Sequence, residues 1–188
     1  NVKLFEIRQQ GKQYCGPSVL SALTGLATNQ CAAIIRYVTG RETAVKGTTH
    51  PQMLRTLTSL GFHASLRTPR EKSNLRSWVR SNCTGKDVYL VASGGHFLLV
   101  QGKYAMCGVS KDLTPIDDHP YARTFIREAY LLKKVRDVDA TALVPHEAKP
   151  STKSAENSAR TKAKKLAEKV GCKVEVDKYT DHFTIWVY

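Results

Sequence analysis

The sequence predicts an α+β fold, with helices first and antiparallel strands after them. Three observations carry that expectation. The first 85 residues repeat apolar side chains at helical spacing, punctuated by Gly and Pro. After Asp87 the apolar residues fall instead into short strand-sized runs separated by glycines. At residue 145 the composition turns polar, with two prolines in six positions. At 188 residues and 41% hydrophobic composition, the chain is long and apolar enough for one cored domain plus a small appendage, which excludes wholesale disorder.

The first helix should open at Gly16-Pro17, where Pro suits the initial turn, and run through VLSALTGL. Asn29 is placed to cap a second helix, QCAAIIRYV, ending at Gly40. Thr48 or Thr49, followed by Pro51, opens a third, QMLRTLTSL, closed by Gly61. A fourth, SNLRSWVRS, takes Ser73 as cap and has Gly85 beyond its end. Residues 87–92 form a nearly all-apolar run, as expected of a buried central strand. Gly94-Gly95 interrupts it, and residues 96–100 resume as a second strand. Gln101-Gly102-Lys103 reads as a hairpin turn into residues 104–107. The segment IREAYLLKKV at 126–135 suits either strand or helix and is read as a strand at the sheet edge.

Residues 1–144 therefore form the main domain, 145–153 a linker, and 154–188 a basic helix followed by a β-hairpin. On the helix, Ala155, Ala159, Ala163, Leu166, Ala167 and Val170 share one face. Arg160, Lys162, Lys164, Lys165 and Lys169 fall on the opposite face, a solubilising surface or a phosphate-binding one. The runs CKVEV and HFTIWVY alternate as paired strands. So small a unit is expected to pack on the main domain or on a partner.

Lys and Arg number 29 against 16 Asp and Glu, a net charge of +13. That balance favours a polyanionic partner, nucleic acid or an acidic protein surface. No apolar run reaches the length needed to span a bilayer, and the first ten residues lack the apolar core of a signal peptide, so no membrane partner is expected. Five widely spaced cysteines, at 15, 31, 83, 107 and 172, include no CxxC pair. An odd count at such spacing suits neither a disulfide framework nor a zinc site, and points to a reducing, cytoplasmic compartment. Cys31, Cys83 and Cys172 are read as small buried hydrophobes.

Cys15 differs because it immediately precedes a helical pattern. Free backbone N–H groups and the macrodipole at a helix N-terminus favour an anion there, and so a thiolate. A thiolate nucleophile needs an imidazole brought to it by the fold and a donor for the developing oxyanion. His96 opens a strand after two glycines and is the candidate base. Gln9, six residues before Cys15, is the candidate donor, with Gln10 and Gln13 also near. The remaining histidines, 50, 63, 119, 146 and 182, have no partner at metal-ligand spacing and are read as surface or packing residues.

Gln9, Cys15-Gly16-Pro17 entering a helix, and Gly95-His96-Phe97 on a later strand together resemble the papain-like cysteine peptidase superfamily. The compact bacterial and viral forms are the most similar, among them the bacteriocin-leader-cleaving domains of export transporters. The resemblance covers about residues 5 to 115. It implies Cys15 as nucleophile, His96 as general base, Gln9 as oxyanion donor, a polypeptide substrate and no cofactor. It also calls for an Asp or Asn after the histidine to orient it, and here the sequence departs from the pattern. Met106 and Cys107 stand nearest that place, and Asp112 is the preferred carboxylate, ahead of Asp117 and Asp118. The alternative expectation is an inactive papain-like scaffold serving as a nucleic-acid-binding or virion-associated structural protein through its basic C-terminal module.

Overall fold

The computed structural model describes residues 2–145, 174–178 and 183–187, and the chain divides into two compact units, Asn1–Pro145 and His146–Tyr188. The first is α+β. It contains α1 (Cys15–Thr24), α2 (Thr28–Thr39), α3 (His50–Ser59), β1 (Phe62–Leu66), α4 (Leu75–Asn82), β2 (Val88–Ser93), β3 (His96–Gln101), β4 (Tyr104–Met106), β5 (Thr114–Pro115), β6 (Ile126–Lys134) and a 3-10 turn at Ala140–Leu143. In the second, β7 (Val174–Lys178) pairs antiparallel with β8 (Phe183–Val187). Arg160, Lys162, Lys164, Lys165 and Lys169, the proposed anion-binding face, lie outside the described residues, as does Cys172. No helix among the described residues is long and apolar enough to cross a membrane.

Six strands form one antiparallel sheet in the order β1-β6-β2-β3-β4-β5. Period-two alternation sorts β2 between two cores. Val88, Leu90 and Ala92 pack with Leu20 of α1, Ile34 of α2 and Met53 of α3. Tyr89 and Val91 pack with Leu75, Trp78 and Val79 of α4 on the other face. Because both faces are covered, all six residues of β2 are buried. That accounts for a run apolar at every position rather than at alternate ones.

Each helix end has a local cause. Tyr14 stands at the N-cap of α1 in extended conformation, and Gly25 ends the helix in the left-handed region, its N–H bonding Ser21 O. The cap of α2 stands two residues before Asn29: Ala27 is the N-cap, and its N–H is taken by the Gln30 side chain at 3.1 Å. Thr49 caps α3 by accepting from Gln52 N–H, and Asn74, not Ser73, caps α4 by accepting from Ser77 N–H.

One expectation about the sheet is corrected, and one strand is added to it. Residues 126–134 lie inside the sheet between β1 and β2, not at its edge. The edge role beside β6 falls to β1, which the sequence hid by following α3 directly. Its burial pattern is ragged, with only Phe62 buried, so no clean alternation marks it.

Gly61 makes the α3–β1 connection possible. Its φ is +83°, and an added Cβ would lie 2.3 Å from the carbonyl oxygen of Arg136. That carbonyl belongs to a segment whose N–H groups at Val135 and Arg136 both bond Gly61 O. Gly61→Ala should therefore destabilise the domain by about 2 kcal/mol or more, combining left-handed strain with a backbone clash. A urea midpoint equal to that of the parent would contradict this reading of the turn.

Candidate active site

α1 is buried around its whole circumference, at every residue from Gly16 to Leu23, including the small polar Ser18 and Ser21. Cys15, its first residue, is the half-exposed end of this buried rod. Pro17 has no N–H, and Ser18 N–H bonds Tyr14 O, so the free amides of the first turn are those of Cys15 and Gly16. Cys31, Cys83 and Cys107 are buried. Burial pushes the thiols of Cys31 and Cys83 up to about 12, which keeps them protonated and inert.

Cys15 opens into a cleft of about 610 Å³. The chain just before α1 contributes Gln13 and Tyr14, and the segment leading into α3 contributes Lys46, Gly47, Thr48, Thr49, His50 and Pro51. The β2–β3 hairpin contributes Ala92, Ser93, Gly95, His96 and Phe97, and β6 contributes Arg127. Cys15 and His96, separated by 81 positions in sequence, are thus brought to one cavity.

His96 is placed by a two-residue turn. Gly94 and Gly95 both have positive φ, +59° and +79°, as a type I′ turn requires, and Ser93 pairs with His96 across it. Ser93 Oγ lies 2.7 Å from Thr124 Oγ1 and donates to Phe125 O at 3.0 Å, which ties the turn to the loop before β6. From that loop Tyr121 stacks on the His96 ring with centroids 4.6 Å apart. Tyr121 titrates above its ordinary range, first through burial and then through its charge interactions with Cys107 and Cys15.

A register shift lies beside this turn. Ala92 pairs with Glu128 but Ser93 pairs with Ile126, leaving Arg127 without a ladder partner. Such a bulge re-aims side chains, and Arg127 faces the cleft as a result.

The other sequence-predicted residues are placed elsewhere. Gln9 is not among the cleft residues: its Nε2 donates to Gly11 O at 3.0 Å, and its Oε1 is buried without a hydrogen-bond partner. The glutamine that reaches the cleft is Gln13, two residues before Cys15. Asp112 is exposed on the loop between β4 and β5 and does not line the cleft. Asp117 pairs with Arg80 at 2.6 Å. No carboxylate is bonded to His96 among the described residues.

Residues that the sequence did not single out complete the cleft. Thr48 packs on α1 where Gly16 has no side chain, and its hydroxyl is buried without a partner. His50, read from sequence as a surface or packing histidine, lines the cleft and pairs through Nδ1 with Glu128 at 2.9 Å. Glu128 also accepts the hydroxyl of Tyr130. No short motif links residue 50 to residue 128; only the pairing of β6 beneath α3 does.

Two substitutions check this arrangement. A Cβ on Gly16 would stand 2.2 Å from Thr48 Oγ1 and 2.8 Å from Thr48 Cβ. Gly16→Ala should cost about 1–3 kcal/mol, and adding Thr48→Gly should restore most of it in thermal melts. His119, 3% exposed and 5.9 Å from the Tyr121 ring between centroids, is held neutral by burial, which lowers its pKa from 6.5. The unfolded chain therefore takes up this proton first as pH falls through 6.5, and folding stability drops below that pH. Between about pH 7.5 and about pH 5.5, His119→Asn should show a shallower loss of stability than the parent in urea titrations.

Compared with protein-family models and with curated proteins, the chain matches none, so the cleft's own residues carry its functional reading.

Proposed function

We propose that the protein is a thiol-dependent peptidase of papain-like type, with Cys15 as nucleophile. One observation supports this most: among the described cysteines, Cys15 alone is not buried, and it stands at a helix start in a cleft that also holds His96. Its thiolate attacks the carbonyl carbon of a peptide or isopeptide bond. The oxyanion is met by the backbone N–H of Cys15 with the side-chain amide of Gln13, the cleft-lining glutamine, in the role expected of Gln9. His96 gives its proton to the departing amine, leaving a thioester on Cys15. Water then adds to the thioester and loses a proton to the imidazole. The carboxylic acid leaves, and the thiolate returns. No cofactor enters these steps.

The open two-glycine turn supports an extended polypeptide as substrate. Gly95 has nothing within 4 Å of the position its Cβ would occupy, so a substrate backbone has room to pass close beside it.

Cys15→Ala should abolish cleavage of a fluorogenic peptide library while the thermal midpoint stays within experimental scatter of the parent. His96→Ala should lose at least about a thousandfold in kcat/KM, because nucleophile and base act as one unit. Cleavage at the parental rate by Cys15→Ala would overturn the reading.

A further inference from the structure

A general base must reach the reacting atoms and must be held in one orientation. His96 shares the cleft with Cys15, and its ring rests against Tyr121 rather than on a carboxylate. The imidazole with a carboxylate behind it is His50. Its Nδ1 is occupied by Glu128 at 2.9 Å, Glu128 is in turn fixed by the Tyr130 hydroxyl, and the ring edge rests on Phe97 at a centroid separation of 5.1 Å. The nitrogen left unbonded is Nε2. The segment carrying His50 is pinned to the start of α1, because Thr48 fills the space over Gly16, with Met53 also 3.5 Å from that Cβ position.

We infer that His50 is a second catalytic imidazole of the cleft, forming with Cys15 and Glu128 a nucleophile–base–carboxylate series that shares its thiol with His96. The inference rests on the peptidase reading of Cys15. His50 Nε2 takes the thiol proton from Cys15 Sγ, and the resulting pair of imidazolium and thiolate is the form that attacks the carbonyl. The proton given to the amine and regained from water passes through His96. At the end the thiolate leaves the carbonyl carbon with the C–S electron pair and re-forms its ion pair with His50. Glu128 and Tyr130 are positioning residues. The charged and titratable groups sharing the cleft with His50 are Lys46 from its own connection, Tyr14 from the segment before α1, Cys15 from α1, His96 from β3 and Arg127 from β6. Glu128 is the anion bonded to it. The two cations oppose a charged imidazole, and the carboxylate with the thiolate favours one.

Alkylation of Cys15 reads this pairing without any substrate. The intact chain is treated with iodoacetamide from about pH 5 to about pH 9, and modification of Cys15 is followed by peptide mass spectrometry. An imidazolium beside the thiol keeps thiolate present at low pH. His50→Gln and Glu128→Gln should each move the rate profile to higher pH, with about a tenfold loss of rate near pH 6 for each unit moved. His50→Gln added to His96→Ala should lower the rate beyond His96→Ala alone. Glu128→Gln keeps the size of the side chain and so tests orientation if His50→Gln folds poorly. A purely structural ion pair would lower the melting midpoint and leave the profile in place, and superposed profiles in all variants would overturn the assignment of His50 alone. If the parent Cys15 alkylates as a fully solvated thiol does at every pH, the peptidase reading and this one fall together.

Discussion

The position of Cys15 depends on the burial of α1. This helix presents no face to solvent along its length: its residues from Gly16 to Leu23, Ser18 and Ser21 included, are enclosed by the sheet, by α2 and by the N-terminal segment. That segment is bound to it by Phe5 N–H to Ala22 O, and by Arg8 N–H to Ser21 Oγ at 3.0 Å. A helix so enclosed has one place where its backbone amides remain free, its first turn. Fixing the rod in the core therefore fixes the direction in which Cys15 and those amides point. Burial energy of this kind is non-directional in itself. It becomes directional here because the buried object is a helix with an open end.

The opposite wall of the cleft depends on two irregularities in an otherwise regular sheet. A type I′ turn at Gly94-Gly95 starts β3 at His96, and a bulge at Arg127 breaks the β2–β6 ladder at the same level. Regular pairing would have alternated Arg127 and Glu128 to opposite faces. With Arg127 outside the ladder, Glu128 is aligned with Ala92, on the face toward α3, while Arg127 faces the cleft. Local departures from the ladder thus bring an imidazole, a carboxylate and a guanidinium to one end of the sheet.

The four helices and the β2–β3–β4 meander were legible in the sequence because each is marked locally, by apolar period, a cap or a glycine turn. The placement of Cys15 at a helix start and of His96 at a strand start was legible for the same reason, since each stands beside its own punctuation, Gly16-Pro17 and Gly94-Gly95. What escaped was non-local. β1 and the central position of β6 are defined by pairing to each other across 60 and more residues, and Phe62 to Leu66 carries no alternation of its own. His50 and Glu128 escaped likewise, as their pairing exists only once α3 lies over β6. Gln9 misled because spacing along the chain does not specify where an amide points. Its neighbours Arg8 and Gln10 are bonded to Thr28 at the start of α2, which holds that stretch of chain to α2, and the Gln9 amide bonds Gly11.

The contrast among the cysteines shows how one fold makes four similar thiols chemically different. Cys31 lies between α1 and α2, 3.8 Å from Thr24 Oγ1, and a thiolate there would have lost its hydration with only a hydroxyl in return. Cys83 ends α4 under the sheet, where the charge of Lys103 offsets only part of the same loss. Desolvation wins at both sites and pushes both thiols up to about 12. Cys15 keeps access to water and to the amides of its own helix start, and Lys46, Arg127 and two imidazoles share its cleft, with no carboxylate among the residues that line it. A developing negative charge is therefore met by donors and cations on every contributing element. Charge complementarity of that sign is what thiolate attack and oxyanion formation require of a site.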